Sequence, residues 1–198
     1  MTVPDAAADV RHEPDAVVIA GSVSDPTRFE AIYDRYAATI HRYAARRIGV
    51  SLADDVAAET FLQAFRLRRR FDRAATSALP WLYGIATNLI RRHRRRETAQ
   101  YRAWARTGAD PTTVTDHADR VVLQVAATQR ARAVHAALAR LTAKERDVVL
   151  LVAWCELSYE QVAQSLGIPV GTVRSRLNRA RGRLEAALTG LDRREELA

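Results

Sequence analysis

The stretch SYEQVAQSLGIPVGTVRSRLNRAR, residues 158–181, has the pattern of two short helices joined by a tight turn. Its first four residues form a capping box, in which the serine and glutamine side chains satisfy backbone N–H groups at a helix start. Gly167 suits the left-handed conformation that ends a helix, and Pro169 stands just before the second helix. The small Ala163 allows the two helices to approach closely. This combination predicts a helix-turn-helix.

The second helix of this pair is crowded with arginine. With Val173 and Leu177 turned inward, the outward positions are Arg174, Ser175, Asn178, Arg179 and Arg181. Arginine forks read guanine edges and hold phosphates, so this face suits the major groove of duplex DNA. The simpler interpretation is a solvated face on a plain helical hairpin. Cap, turn and face agree in favouring DNA, but the motif alone does not distinguish a repressor from other DNA-binding proteins.

Two further helices precede this motif. Val134, Leu138 and Leu141 fall at helical spacing, and TAKE at 142–145 is a second capping box that leads into the apolar run VVLLVAW at 148–154. Together these elements predict a four-helix C-terminal domain over residues 129–190, with residues 191–198 as a tail.

Residues 28–97 predict a second domain of three to four helices. Apolar residues from Phe29 to Ile48 keep one face for about five turns. SLAD at 51–54 has the form of a capping box and predicts a second helix, while Pro80 suits the first turn of a third helix that runs into RRHRRR at 91–96.

The remaining segments lack helical periodicity. Residues 1–27 are acidic and dotted with proline, which predicts a flexible tail, and residues 98–128 have the composition of a flexible linker. We therefore expect an all-α fold of two small helical domains joined by a linker.

The positive charge lies on two separate blocks. The chain of 198 residues carries a formal net charge of +8, and Lys144 is its only lysine. Residues 28–97 hold fifteen arginines against seven acidic residues, and residues 129–198 hold twelve basic against eight acidic residues. Codon bias explains the choice of arginine over lysine but not this distribution. Two basic blocks favour nucleic acid as the partner.

No group of residues indicates catalysis or a cofactor. The five histidines are scattered without metal-ligand spacing, and there is neither a P-loop nor a glycine-rich dinucleotide fingerprint. Cys155 is the only cysteine, which excludes an internal disulfide and a multi-cysteine zinc site. The run VVLLVAW is too short to cross a bilayer, and the acidic N-terminus lacks the basic start of a signal peptide. We expect a cytoplasmic protein that is not an enzyme and has no catalytic site, metal, cofactor or membrane insertion.

The segment RFDRAATSALPWLYGIATNLIRRHRRR at 70–96 interleaves aromatic and basic residues. Aromatic rings stack on unpaired bases and arginines follow the sugar-phosphate chain, so the combination suits single-stranded or opening DNA. Alternatively, Phe71, Trp81 and Tyr83 are core residues of a helical bundle, and Trp81 does fall on the apolar stripe.

Three stretches together resemble an extracytoplasmic function (ECF) sigma factor, of the sigma-70 family of bacterial RNA polymerase sigma factors. They are ADDVAAETFLQAFR (53–66), LPWLYGIATNLIRRHRRR (79–96) and LTAKERDVVLLVAWCELSYEQVAQSLGIPVGTVRSRLNRARGRL (141–184). Two independent blocks in the right order make the resemblance specific, with residues 28–97 similar to sigma region 2 and residues 129–190 to sigma region 4. It implies a protein that directs core RNA polymerase to specific promoters and helps to open the DNA for transcription initiation.

The resemblance also implies site residues in the first block. A helix that docks on the largest polymerase subunit would carry Asp55, Glu59, Phe61 and Gln63. Ala58 stands where the family commonly has glutamine, which removes one expected polar contact. A loop over residues 71–79 would capture a base flipped from the minus-ten element, at a cost of a few kcal/mol that a pocket and phosphate contacts offset. The associated minus-ten residues would be Phe71, Trp81, Asn88, Arg91, Arg92 and Arg95, with Arg94 and Arg96 beside them.

In the second block the resemblance assigns base reading at the minus-thirty-five element to the second helix of the helix-turn-helix. The base-reading positions would be Arg174, Ser175, Asn178 and Arg179, with Arg176, Arg181 and Arg183 as phosphate-binding or fold residues. Many relatives carry an aromatic residue or histidine where Asn178 stands, so the preferred bases do not transfer.

Two other functions remain open from the sequence. A dimeric helix-turn-helix regulator would bind its duplex site without polymerase, and a helical RNA-binding protein would use the RRHRRR run. A sigma factor should instead bind promoter DNA weakly until core polymerase is added. The partners that the resemblance implies are core RNA polymerase, promoter DNA and, as often in this group, an anti-sigma protein.

Overall fold

The computed structural model describes residues 13–107 and 137–195, with side chains for residues 13–95 and 137–186. All regular secondary structure in these ranges is helical, which confirms the predicted all-α fold class. The chain divides into two compact units, residues 1–121 and residues 122–198.

Over residues 13–107, the N-terminal unit is a helical bundle with three long helices and one short one. Its elements are α1 (Asp15–Gly21), a 3-10 turn (Pro26–Phe29), α2 (Glu30–Ile48), α3 (Val50–Leu67), a second 3-10 turn (Arg68–Arg70) and α4 (Leu79–Thr107). The apolar stripe predicted from Phe29 to Ile48 forms the buried face of α2, and α3 and α4 follow where the sequence predicted helices.

Buried side chains from all three long helices form the core of this bundle. Ile32 and Ile40 of α2 and Leu82 of α4 have no exposed surface. Tyr43 of α2 packs edge-on against Tyr83 of α4, with ring centroids 5.0 Å apart. Tyr83 is therefore a core residue, as the second interpretation of the aromatic segment held.

The flexible tail predicted for residues 1–27 is wrong for residues 13–27, which contain α1 and most of the first 3-10 turn. Val18 and Ile19 of α1 are fully buried, so tertiary packing holds this helix. Seven residues are too few to display a sustained helical period, which is why the acidic, proline-containing composition dominated the prediction. Residues 1–12 lie outside the described residues.

Two other predicted boundaries are also wrong. α4 continues to Thr107, so the first part of the predicted linker 98–128 is helical. The segment ETAQYRAWAR at 97–106 consists largely of good helix formers, which extend the helix without an interruption. The last helix likewise runs to Glu195 and includes most of the predicted tail 191–198. Residues 108–128 of the linker and Val134 lie outside the described residues.

The serine cap predicted at SLAD is absent. α3 begins at Val50, one residue before Ser51, and no side chain caps its first turn. Gly49 precedes it with φ 83° and ψ 162°, a conformation that turns the chain from α2 into α3. Ser51 therefore lies inside the helix rather than at its cap.

The C-terminal unit contains three described helices after a short helical stretch at 137–139. They are α5 (Ala143–Ala153), α6 (Tyr159–Leu166) and α7 (Val170–Glu195). Both predicted capping boxes are confirmed, one from Thr142 to Glu145 and one from Ser158 to Gln161. The core is formed by fully buried side chains of all three helices, which are Val148, Leu151, Val162, Val173 and Ala180.

Candidate nucleic-acid interface

The turn between α6 and α7 has the geometry that the helix-turn-helix prediction requires. Gly167 adopts φ 62° and ψ 43°, the left-handed conformation, and its N–H donates to Gln164 O at 3.3 Å. The next N–H, of Ile168, donates to Ala163 O at 3.0 Å. Val162 and Val173 are fully buried on the two sides of the turn, so the angle between the helices is set by packing.

The side of α7 that faces away from this core presents the predicted base-reading residues. All four of them, Arg174, Ser175, Asn178 and Arg179, are exposed, and so is Arg181, which is predicted to be a phosphate-binding or fold residue. Arg176, another predicted phosphate-binding or fold residue, is half-buried. Local backbone contacts orient two of the exposed side chains: Ser175 Oγ donates to Thr172 O at 3.1 Å and Arg179 Nε to Ser175 O at 3.3 Å. The face is polar, basic and open to solvent.

A buried carboxylate connects α7 to the start of α5. Arg183 Nη1 lies 2.7 Å from Glu145 Oε2, and the Glu145 side chain is only 5% exposed. The hydrogen bond from the Thr142 hydroxyl is the main cause that holds the pKa of Glu145 below its ordinary value, with the charge of Arg183 as a smaller cause. Arg183 is therefore a fold residue that fixes α7 against α5.

The first turn of α6 places an acidic residue near the start of α7. Hydrogen bonds from its own backbone N–H and from Ser158 lower the pKa of Glu160, and the charge of Arg174 contributes a smaller part. Glu160 therefore adds a negative charge to the surroundings of Arg174.

In the N-terminal unit, one side of α4 carries the predicted minus-ten residues. Asn88 is the only exposed residue between Leu82 and Ile90. Trp81 is half-buried and lies two turns before Asn88. The two residues are on the same side of α4, because positions seven apart on a helix share a face. Above Asn88, Arg92 and Arg95 are exposed and Arg91 is half-buried. The stripe therefore combines a ring, an amide and arginines, which suits a single strand.

Phe71 opens the loop that precedes α4, and its ring is mostly buried, with 8% exposed. It packs on Trp81 with ring centroids 5.0 Å apart and an interplanar angle of 58°. Phe71 is therefore a core ring, as the second interpretation held, and Trp81 is only partly buried.

The predicted polymerase-docking residues lie on α3 and differ in exposure. Asp55 is exposed, and Glu59 and Gln63 are half-buried with a 3.1 Å hydrogen bond from Gln63 Nε2 to Glu59 Oε1. Phe61 is buried, with 5% exposed, and packs edge-on against Tyr33 at 4.9 Å. The Phe61 ring is therefore packed beneath the predicted docking surface rather than exposed on it.

The predicted docking and minus-ten surfaces meet at one ion pair. Arg92 Nη2 of α4 lies 3.1 Å from Glu59 Oε1 of α3, with 48% and 41% of the two side chains exposed. An exposed pair of this kind contributes little to stability, so both side chains are readily exchanged for other partners.

Two structural contacts were not predicted from the sequence. Arg94 Nη2 donates to Arg47 O at 2.5 Å and caps the end of α2, so Arg94 is a fold residue. Asp15 of α1 is a buried carboxylate that reaches α2 and the loop before α4. The contact to Arg47 spans 47 positions and has no local signal. For Asp15, the available signal was Pro14 and an acidic residue ahead of the apolar VVIA, a typical helix start.

Within the described ranges, no group of three or more His, Cys, Asp or Glu side chains is arranged to hold a metal ion. None of the helices in the same ranges has the length and hydropathy needed to span a membrane.

Comparison with known proteins identifies both blocks. The family model of sigma-70 region 2 matches residues 32–100, and that of sigma-70 region 4 matches residues 131–184. The chain is 33% identical over 174 residues to the ECF RNA polymerase sigma factor SigC of Mycobacterium tuberculosis, which covers 86% of this chain and 89% of that protein. It is 32% identical over 179 residues to the ECF RNA polymerase sigma factor SigW of Bacillus subtilis, covering 84% and 92%.

Solved structures share the fold. CnrH in complex with the cytosolic domain of CnrY superimposes with a TM-score of 0.61 at 24% identity, over 90% of this chain and 99% of that one. The sigma factor RpoE of Bartonella quintana, in complex with the anti-sigma factor NepR, gives a TM-score of 0.60 at 22% identity, over 81% and 96%. Two region models in sequence order, and relatives matched over most of both lengths, confirm the resemblance: the chain belongs to the ECF subfamily of the sigma-70 family and is an RNA polymerase sigma factor.

Proposed function

We propose that the two units of this sigma factor divide the promoter between them. The N-terminal unit, centred on residues 28–97, docks on core polymerase and recognises and opens the minus-ten element. The C-terminal unit, centred on residues 129–190, reads the minus-thirty-five element. The observation that carries this proposal is the pair of exposed polar and basic faces, one on α4 and one on α7, each backed by a buried core.

At the minus-thirty-five element, α7 enters the major groove. The exposed face of α7 that follows the turn contacts base edges. Its base-reading residues are Arg174, Ser175, Asn178 and Arg179. Arg176 and Arg181 bind phosphates and fix the register.

At the minus-ten element, the α4 stripe holds the non-paired strand. Asn88 contacts a base, Trp81 offers a ring edge for stacking, and Arg91, Arg92 and Arg95 follow the phosphates. Phe71 supports Trp81 from the core side, so it acts on the DNA through its neighbour.

On α3, Asp55, Glu59 and Gln63 form the polymerase-docking surface, with the buried Phe61 holding the helix in place. Docking that engages Glu59 would release Arg92 for DNA, since the two are paired in the free protein.

We also propose an anti-sigma partner, a cytoplasmic location and a regulatory role without catalysis. The two structural neighbours are complexes with CnrY and with the anti-sigma factor NepR. Tyr33 and Leu62 are large apolar side chains of α2 and α3 with 50% and 48% exposed, a surface that a protein partner would cover.

Run-off transcription with purified core polymerase tests this function. The template comes from sequencing the transcripts that appear when the chain is overexpressed. We expect a defined start site only when core polymerase and this protein are both present, and tight promoter binding only from the pair. Identical start sites with and without the protein would contradict the proposal. Tight duplex binding by the chain alone would instead support a regulator that acts without polymerase.

A further inference from the structure

The short helix α1 contacts both ends of the loop that joins α3 to α4. This loop, residues 71–78, follows the 3-10 turn Arg68–Arg70 and ends where α4 begins. Its far end is reached by Asp15, the first residue of α1, and its near end by Ser22, the residue after α1. α1 and the residue after it therefore contact both the last residue of the loop and the turn from which the loop departs.

The contact at the far end centres on the buried Asp15 carboxylate, which is 5% exposed. Arg35 Nη1 donates to Oδ1 at 2.5 Å, and Oδ2 accepts from Tyr36 OH at 2.5 Å and from Ala78 N at 2.7 Å. A buried charge is stable only when its oxygens are paired in this way. The last of these bonds fixes the backbone at the residue before α4.

A second hydroxyl strengthens the same end. Tyr36 OH lies 3.2 Å from Ser77 Oγ, and Ser77 Oγ accepts from Leu79 N at 3.1 Å. Because the Tyr36 proton goes to Asp15, Ser77 donates to Tyr36. The chain of contacts therefore runs from α1 through α2 into the last residues of the loop.

The near end is held by Arg68. Its Nε donates to Ser22 O at 3.1 Å and its Nη1 to Phe65 O at 2.6 Å, while the guanidinium stacks on the Phe65 ring at 3.8 Å. Ser22 is fully buried, and its hydroxyl donates to Ile19 O at 2.7 Å. The backbone of α1 is thereby fixed to the turn from which the loop departs.

We infer that α1, through Asp15, is a positioning element for base capture, and that it sets the loop in the open-complex geometry before DNA arrives. The inference rests on the proposed role of this loop in binding a flipped minus-ten base. A loop held at both ends loses less conformational entropy on binding, so capture is stronger than with a free loop. Asp15 itself does not touch DNA.

The test uses the full chain as holoenzyme with core polymerase. The probe is a fluorescent oligonucleotide carrying the non-template strand of the minus-ten element from the promoter found above. Asp15→Asn keeps the side-chain shape and removes the charge, and Asp34→Asn on exposed α2 surface is the matched control. We expect Asp15→Asn to bind the oligonucleotide about tenfold more weakly, the scale of one hydrogen bond to a charged group, and Asp34→Asn to bind like wild type.

A second readout separates positioning from a general loss of stability. The oligonucleotide is repeated with an abasic site at the captured base. Wild-type holoenzyme should bind the abasic oligonucleotide more weakly than the intact one. Asp15→Asn holoenzyme should bind the two oligonucleotides with nearly the same affinity, because its capture of the base is already impaired. Core affinity and minus-thirty-five duplex binding should stay within about twofold of wild type, because those surfaces lie elsewhere.

The other possible results of these binding measurements contradict either the inference about α1 or the proposed function of the loop. If Asp15→Asn binds both probes like wild type, or if its loss and the abasic loss simply add, the inference is overturned while the proposed function stands. If wild-type holoenzyme does not distinguish the intact from the abasic probe, the proposed function of the loop fails and the inference fails with it. If Asp15→Asn does not fold, Tyr36→Phe and Ser77→Ala, which each remove two hydrogen bonds at the far end of the loop but keep the Asp15 carboxylate, replace it under the same criteria.

Discussion

Arg174 and Arg179 are exposed on the face of α7 that we propose reads bases, whereas Arg183 on the same helix pairs with the buried Glu145. Arginines on this one helix therefore differ in their proposed roles, which are base recognition and stabilisation of the fold. A bidentate arginine contact to a base contributes about 1–3 kcal/mol of discrimination. We expect Arg174→Ala and Arg179→Ala each to reduce discrimination between cognate and mutated minus-thirty-five sequences by about this amount in holoenzyme binding assays.

Arg183→Ala is the matched control for these two variants. It should lower the melting temperature, because it removes a charge partner of a buried carboxylate, but leave sequence discrimination intact. The loss is moderated because 48% of the Arg183 side chain is exposed to water. Equal loss of core affinity in the Arg174 and Arg179 variants would contradict the assignment.

The exposure of the base-reading residues could be predicted, because helical spacing alone determines which side chains face away from Val173 and Leu177. The roles of Phe61, Phe71 and Arg94 could not. Neighbours that are distant in sequence decide whether a ring or a guanidinium on a helix faces solvent or the core. Phe61, for example, is covered by Tyr33 of the preceding helix.

Among the elements, the turn between α6 and α7 depends on one backbone conformation. Gly167 has φ +62°, and a Cβ there would meet no atom within 4 Å, so a side chain is opposed by backbone strain and not by a clash. Gly182, inside α7, also has open space around it. We expect Gly167→Ala to destabilise the C-terminal unit by about 1–2 kcal/mol and Gly182→Ala to stabilise it by about 0.5–1 kcal/mol.

Chemical denaturation of the two glycine variants measures both effects, with an unchanged m-value as the check that only stability has moved. Destabilisation by Gly182→Ala, or none by Gly167→Ala, would show that the turn is not the strained point. Promoter binding by the Gly182→Ala holoenzyme should be unaffected if its small side chain stays clear of the DNA.

Element boundaries were predictable where the deciding contacts are local. Both confirmed capping boxes close within three residues, so the sequence contains all of their atoms. The SLAD prediction was wrong because Gly49 had already turned the chain, and Ser51 was then part of the helix. α1 was missed because its stability comes from Arg35, Tyr36 and Ala78, which lie 20 to 63 positions away.

For the whole molecule, the two units differ in how they respond to pH. In the C-terminal unit the pKa of Glu145 is below its ordinary 4.5, mainly through the Thr142 hydroxyl. Its contribution to stability is present above pH 4.5 and is lost as pH falls through the lowered pKa. In the N-terminal unit, burial and the hydrogen bond to Asp15 raise the pKa of Tyr36 above 10.0. That contribution is present below pH 10.0 and is lost as pH rises through the raised pKa.

We therefore expect acid to weaken the C-terminal unit through Glu145 and alkali to weaken the N-terminal unit through Tyr36. Because Lys144 is the only lysine and arginine stays charged, tyrosine is the main residue type that titrates near pH 10, and Tyr36→Phe distinguishes Tyr36 from the other five tyrosines. Thermal unfolding followed by Trp81 and Trp154 fluorescence in single-tryptophan variants reports each unit separately. In the unfolding followed by Trp154, Glu145→Gln should reduce the fall of the melting temperature at acid pH. In the unfolding followed by Trp81, Tyr36→Phe should reduce the fall of the melting temperature at alkaline pH. If each substitution changed the unfolding followed by both tryptophans equally, the two units would unfold as one, and the division of the chain into independently stabilised units would be wrong.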